Sequence, residues 1–458
     1  MPARTSFTGT GSSVCMRTGA DVTSTALFLR NLTLTRFRSY TAARIALERQ
    51  PVVITGANGA GKTNLLEAVS MLSPGRGLRS AAGEDLVATG AEAWHVAALF
   101  DSPDGPHEIA TGGGAGGRQV TIDGKAAPQV ALANVLRVLW LTPAMDRLWV
   151  AAPSERRRFL DRITMSLIPD HAEAATGYER SLRERNRLIR DQITDRAWFA
   201  ALEARMGETG AILIANRRRA VAQLAAAQVE GPFPVADLAL ETDAPDTAAD
   251  LASALAEARP RDIAAGRTLA GPHRDDLGVR YGAKDMPARL ASTGEQKALI
   301  LSIVLANARA VAASSGAAPI LLLDEVAAHL DEERRGALFE AVLTLGAQAW
   351  MTGTETALFA SLGERAQWLE IREGERGSEI RARNHPGRAS VGRAKGICPS
   401  GTGASEMTEK ANPDAVPPGT PGSGENICSR CGGTGKVDGK DCPECGGTGK
   451  VVTPIGGA

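Results

Sequence analysis

Eight consecutive residues constrain this chain more than any others: Gly56, Ala57, Asn58, Gly59, Ala60, Gly61, Lys62 and Thr63. They match the phosphate-loop pattern GxxxxGK(S/T), which works only between a strand and a helix. The sequence supplies both, an apolar run at 52–55 and a helical pattern at 64–72 that Asn64 opens. Glycines at these spacings let backbone N–H groups curl around phosphate oxygens, and the helix N-terminus adds positive potential. Lys62 is placed to reach the β- and γ-phosphates of ATP, and Thr63 to ligate Mg²⁺. This unit commits the chain to an α/β fold.

The complement lies far along the chain. Residues 320–323 form a short apolar strand ending in Asp324 and Glu325. The first carboxylate can hold Mg²⁺ together with Thr63, and the second can orient and deprotonate an attacking water. Upstream, Ser292, Thr293, Gly294, Glu295 and Gln296 open a long apolar helix. One site already has its phosphate loop, so a second phosphate-binding helix end at Ser292, Gly294, Glu295 and Gln296 points to a nucleotide held by another molecule. ATPases of the ABC class carry such a signature, which docks on the γ-phosphate of the opposite subunit. Asp331 fits the loop that touches that subunit. An ordinary N-cap would explain Ser292 alone.

With 458 residues, 43% of them hydrophobic, the chain can form two or more domains. Its 52 basic and 52 acidic residues cancel, so any nucleic-acid surface has to be a local patch. No run approaches the ~20 apolar residues that span a bilayer, which predicts no membrane segment. Residues 16–397 contain no cysteine, in keeping with a reducing cytoplasm. Composition and periodicity predict a disordered leader at 1–26 and the N-terminal part of a head at 27–150. Within that part, two strands between 94 and 125 flank an exposed Gly-rich loop at 112–117. A helical arm follows at 151–265, with a less regular acidic stretch at 230–260 that regains helix at 247–258. The head resumes at 266–384, then a flexible Gly/Pro/Ser-rich linker at 385–427 and a cysteine module at 428–453.

Several stretches go beyond the general class. NLTLTRFRSY, GANGAGKTNLLEAVSML, LTPAMDRLWVAAPSERRRFLDR, YERSLRERNRLI, LAGPHRDDL and ASTGEQKALILSIVLA occur in this order. Together, over about residues 27–384, they resemble the bacterial RecF family of DNA replication and repair proteins. The resemblance implies a P-loop ABC-type ATPase head with an inserted α-helical arm domain. It also implies a cytoplasmic DNA-binding protein with slow ATPase activity, forming a homodimer when ATP is bound. Such a dimer clamps double-stranded DNA or single/double-strand junctions at gaps or stalled forks, and acts with RecO and RecR. By position, Arg38 falls where the first strand pair approaches the nucleotide. Thr354 falls where transporters carry a switch histidine, with Thr352 the less favoured occupant. No Gln stands in VLWLTPAMD, where many ABC ATPases keep a Mg²⁺ contact. An ABC subunit driving a membrane or other partner is the alternative; the arm inserted before the signature and the LAGPHRDDL stretch count against it.

Three arginine groups lie in or beside the arm: Arg156, Arg157 and Arg158; Arg183, Arg185, Arg187 and Arg190; Arg217, Arg218 and Arg219. Their guanidinium groups can pair with DNA phosphates, Arg156, Arg157, Arg185 and Arg187 foremost. The interleaved Glu155, Glu179, Glu184 and Asp191 offer intramolecular pairing instead. His273, Arg274 and Asp275 are expected to form a structural junction between head and arm. In the tail, paired C-x-x-C turns let Cys428, Cys431, Cys442 and Cys445 converge on one Zn²⁺. That repeat resembles the zinc-binding region of DnaJ chaperones, cut to one site and without a J-domain pattern. The tail also holds Lys410, Lys436, Lys440 and Lys450, four of the chain's nine lysines. This shift predicts a zinc-ribbon or adaptor module joined to the ATPase by gene fusion or by reading-frame assignment.

Overall fold

A computed structural model of the protein describes residues 27–383 except 115 and 376, together with 423–427, 434, 436–437, 440–442, 448 and 450–454. The chain divides into two units, Met1–Val391 and Gly392–Ala458.

The first unit begins with β1 (Phe28–Phe37) and β2 (Tyr40–Ala46), an antiparallel hairpin. A register shift between Leu29 and Asn31 lets Leu29, Leu32 and Leu34 all face inward despite their odd spacing. β3 (Val52–Thr55) and α1 (Lys62–Ser70) flank the phosphate loop as the pattern requires. β4 (Ala93–Ser102), β5 (Gly105–Gly114), β6 (Gln119–Ile122) and β7 (Lys125–Ala126) then complete an antiparallel sheet of order β2-β1-β4-β5-β6-β7. The expected Gly-rich loop is therefore partly strand, because Gly112, Gly113 and Gly114 end β5. A Cβ at Gly113 would sit 3.1 Å from the indole nitrogen of buried Trp94. These glycines make room for that ring, and the strand survives its composition.

After α2 (Leu132–Val135), β8 (Val138–Leu141) enters a second sheet. The arm follows with α3 (Pro153–Leu167), α4 (His171–Arg190), α5 (Arg196–Ala227), β9 (Ala236–Glu241) and α6 (Ala248–Ala265). β9 was not expected in the acidic stretch. It pairs with β10 (Asp276–Tyr281), which also pairs with β11 (Met286–Pro287), so a small sheet bridges the predicted boundary at 265–266.

The head is then completed by α7 (Thr293–Ser315), β12 (Ile320–Leu323), α8 (Glu332–Leu345), β13 (Ala349–Gly353), β14 (Gln367–Gly374) and β15 (Gly377–Arg383). Strands β3, β8, β12 and β13 are buried at every position. Such uniformly apolar runs fit only a sheet covered on both faces. They lie in the order β15-β14-β3-β13-β12-β8, and all but β15 are parallel. Alternate residues serve two cores. Val53 joins α3, α7 and α8 on one face, and Val52 and Ile54 join α1 and the antiparallel sheet on the other.

α7 corrects one expectation: it is long and apolar enough to cross a membrane by composition. In the fold it is a core helix, with Leu299, Ile300, Leu301 and Ile303 fully buried. Within the second unit, Ser423–Ile427 pairs with Lys450–Pro454 and Lys436–Val437 with Lys440–Asp441, both antiparallel.

Candidate functional site

Parallel sheets place their loops in a crevice beyond the carboxyl ends of the strands. Four such ends meet here, those of β3, β8, β12 and β13. Gly56 leaves β3 with φ +150, and a Cβ there would lie 2.2 Å from the Ile371 carbonyl, so only glycine fits. Gly59 and Gly61 also hold positive φ. α1 has no side-chain N-cap. Its first N–H groups are left for a ligand, the arrangement an anion requires. The Lys62 ammonium donates to the carbonyls of Gly56 and Ala57 at 2.8 and 2.9 Å. Burial lowers its pKa, and the nearby Glu325 and Asp324 charges oppose that shift.

At the end of β12, Asp324 is 5% exposed, yet its partners are neutral hydroxyls. The Thr63 hydroxyl lies 3.1 Å from both carboxylate oxygens, and Thr352 donates to Oδ1 at 2.7 Å. Burial raises the Asp324 pKa against these hydrogen bonds. A buried carboxylate with a threonine hydroxyl beside it is a hard-oxygen donor set that suits Mg²⁺, whose charge would reverse that shift. Glu325 sits in the left-handed region at φ +53, and its N–H donates to Thr352 Oγ1 at 2.8 Å. A non-glycine residue in that region costs about 1–3 kcal/mol and is held there by its surroundings, a pattern concentrated at functional sites.

The structure places the two switch candidates differently. Thr352 is buried against Asp324 and Glu325, whereas Thr354 is exposed. The difference is where the strand ends: Thr352 lies inside β13, and Thr354 lies just past its end. Arg38 also differs from a simple nucleotide contact. It makes a two-pronged pair with buried Glu67 of α1, both bonds 2.9 Å, and Arg79 joins the same carboxylate at 3.2 Å. Arg79 stands close enough to Asp324 for its charge to lower the Asp324 pKa. It comes from a Gly-rich loop whose sequence gives no sign of this placement. Together with Arg79, Arg147, Arg158, Trp140 and Thr142, the residues Thr63, Asp324 and Glu325 line a cleft of about 600 Å³. Thr142 stands at the end of β8, in the stretch where no Gln was found.

At the other phosphate-binding candidate, Ser292 is the N-cap of α7 in a full capping box with Glu295. Lys284 and then Ser292 bond to Glu295 and hold its pKa near about 2. Ser292, Thr293 and Gly294 face solvent, and nothing lies within 4 Å of a Cβ built on Gly294. Gln296 turns inward instead, its amide donating to the Ala291 carbonyl at 2.8 Å while Trp149 donates to its backbone carbonyl at 3.0 Å. Asp331 caps α8 by accepting the Arg334 N–H.

The arm arginines divide sharply. Arg185 is fully buried, donating to Glu203, Asp262, Thr268 and the Leu255 carbonyl, so it has no face for DNA. Arg156 is engaged by both oxygens of Asp276, and Arg157 by the Asp275 carbonyl at 2.7 Å. Arg217 is buried between Asp161 and Asp275. Only Arg187 of the four foremost candidates is open, its side chain 78% exposed beside Asp191. His273 bonds to Tyr178 and the Thr268 carbonyl and approaches no nucleotide residue in these contacts. Of the zinc candidates, Cys428, Cys431 and Cys445 lie outside the described residues, and Cys442 is buried.

The family model of the RecF/RecN/SMC N-terminal domain matches residues 28–369. A DNA replication and repair protein RecF of Mesorhizobium japonicum is 49% identical over 366 residues, covering 76% of this chain and 96% of its own. Its counterpart from Rhizobium meliloti is 48% identical, covering 76% and 98%. A solved structure of the recombination mediator protein RecF with ATP, from the RecFOR pathway, superposes with a TM-score of 0.68 at 21% identity, covering 78% and 98%. At that identity the superposition speaks for the fold. The sequence matches speak for more: this chain belongs to the RecF/RecN/SMC family and, within it, to the RecF proteins of DNA replication and repair.

Proposed function

We propose that this protein is an ATP-driven DNA clamp: ATP brings two copies together around DNA, and slow hydrolysis lets them part. The observation that carries this reading is the convergence of Thr63, Asp324, Glu325 and Thr352 in a head whose Ser292–Gly294 segment faces outward. Lys62 and the N–H groups of the loop from Gly56 to Asn64 bind the phosphates. Thr63 and Asp324 would hold Mg²⁺, which when bound neutralises phosphate charge. Glu325 orients and deprotonates water. Ser292 and Gly294, with Glu295 and Gln296 shaping their helix end, meet the γ-phosphate held by the other copy, and Asp331 lies at that interface. Relatives named for DNA replication and repair, and a solved RecF placed in the RecFOR pathway, support DNA, RecR and RecO as partners in the cytoplasm. Open arginines such as Arg187 then serve DNA phosphates. The four tail cysteines, Cys428, Cys431, Cys442 and Cys445, would hold Zn²⁺ as a further cofactor.

Sedimentation of wild type and Ser292→Arg, with and without ATP and duplex DNA, tests the clamp. Wild type dimerises with ATP. Ser292→Arg keeps ATP binding as a monomer and does not dimerise. A mutant monomer that loses ATP instead would overturn the assignment across subunits.

A further inference from the structure

The inner face of the phosphate loop offers N–H groups, and its outer face has to be held so that they point inward. The Ser378 hydroxyl, at the start of β15, donates to the Ala60 carbonyl at 2.5 Å. The Ser39 and Ser378 oxygens are 2.8 Å apart, and Asn64 donates to Ser39 at 2.8 Å. Each hydroxyl has one proton. With the Ser378 proton on Ala60, Ser39 donates to Ser378, and the relay runs Asn64, Ser39, Ser378, Ala60 in one direction, each bond polarising the next. One residue further on, the buried Tyr40 hydroxyl donates to the Gly61 carbonyl at 3.0 Å. Packing is equally close: a Cβ on Gly61 would lie 2.4 Å from Ser378 Oγ and 2.8 Å from Ser39 Oγ.

A trans peptide is planar, with its C=O and the following N–H on opposite sides. Holding the Ala60 carbonyl from outside therefore turns the Gly61 N–H inward, and holding the Gly61 carbonyl does the same for the Lys62 N–H. We infer that Ser378, with Tyr40, is a positioning residue of the nucleotide site that aims these two amides at the phosphates of a bound nucleoside triphosphate. Ser378 belongs to an antiparallel edge strand outside every motif of the site, and it reaches the loop because its own N–H donates to the Ser39 carbonyl at 2.8 Å. The inference rests on the ATP-binding role proposed for the loop.

Titration of the full chain with a fluorescent ATP analogue and Mg²⁺ tests it, with thermal melting of each variant alongside. Ser378→Ala is expected to weaken binding about 5- to 10-fold, the worth of one hydrogen bond, with little change in melting temperature. Tyr40→Phe is expected to act in the same direction. Ser39→Ala combined with Ser378→Ala should bind little worse than Ser378→Ala alone, because both interrupt one relay. Unchanged binding in Ser378→Ala, additive losses in the double variant, or a weakening fully accounted for by the unfolded fraction would each overturn the inference. Lys62→Ala separates the two levels. If Lys62→Ala binds as wild type does, the nucleotide assignment itself fails. If Lys62→Ala loses binding and Ser378→Ala does not, only the positioning role fails.

Discussion

The nucleotide face of the head and the junction between head and arm are built from the same residue types and treat them in opposite ways. At the junction and in the adjoining arm, Arg185 and Arg217 are buried, each between two carboxylates. At the nucleotide face, Asp324 is buried against hydroxyls, Lys62 against carbonyls, and α1 begins with no side chain over its N–H groups. The difference separates charges that hold shape from charges left with capacity for a ligand. Removing one partner from a closed network strands the other, whereas removing a ligand-facing charge leaves the fold close to intact.

The largest effect expected from that contrast is on stability. Arg185→Ala leaves buried Asp262 without its cationic partner and Glu203 with Arg259 alone, and should lower unfolding free energy by about 3–5 kcal/mol in urea denaturation. ATP affinity of the folded fraction should hold. Lys62→Ala should do the reverse, costing about 100-fold in ATP affinity with an unchanged melting temperature. If Arg185→Ala weakened ATP binding at equal folded fraction, the two regions would be one coupled system and the contrast would break.

A smaller effect comes from His273. Burial holds its pKa down to about 4, from the ordinary value of 6.5. Between those values the unfolded chain takes up a proton that the fold refuses, so stability is full above about pH 6.5 and falls as pH drops towards 4. From pH 7 to pH 5 the loss should be about 2 kcal/mol, and His273→Gln should flatten that part of the profile. The same pH slope in His273→Gln and wild type would remove the histidine from the account. The smallest effect belongs to Arg187, whose exposed pair with Asp191 should contribute under about 1 kcal/mol to stability. Arg187→Ala should instead reduce the salt dependence of DNA binding, and equal slopes for mutant and wild type would exclude it from the DNA surface.

Arg185 and Arg187 also show where sequence reading stops. They share a helix and the same local mixture of acids and bases, but two residues rotate the side chain by roughly 200°. The partners that bury Arg185, at 203, 255, 262 and 268, come from distant segments. The phosphate loop and the Asp324-Glu325 pair were legible because each is a local pattern whose chemistry fixes its spacing. Thr352 was passed over for Thr354 because the end of β13, which keeps Thr352 in the strand beside Asp324 and leaves Thr354 outside it, has no local signature. β9 hid in an acidic stretch because its pairing with β10 crosses a whole helix of sequence. Ser378 left no signal at all, since a serine at the start of an edge strand has no motif.

The interrupted head has a consequence for how the protein is made. β3 hydrogen-bonds on one side to β13 and on the other to β14, and Gln348 ties the Leu29 and Glu48 backbones. On the ribosome, the strand that launches the phosphate loop emerges with neither neighbour and waits until the chain beyond residue 374 has been translated. The arm, whose helices pair with one another, can collapse first. The nascent chain thus finishes its nucleotide pocket late, although the phosphate loop is translated well before either neighbour of its strand.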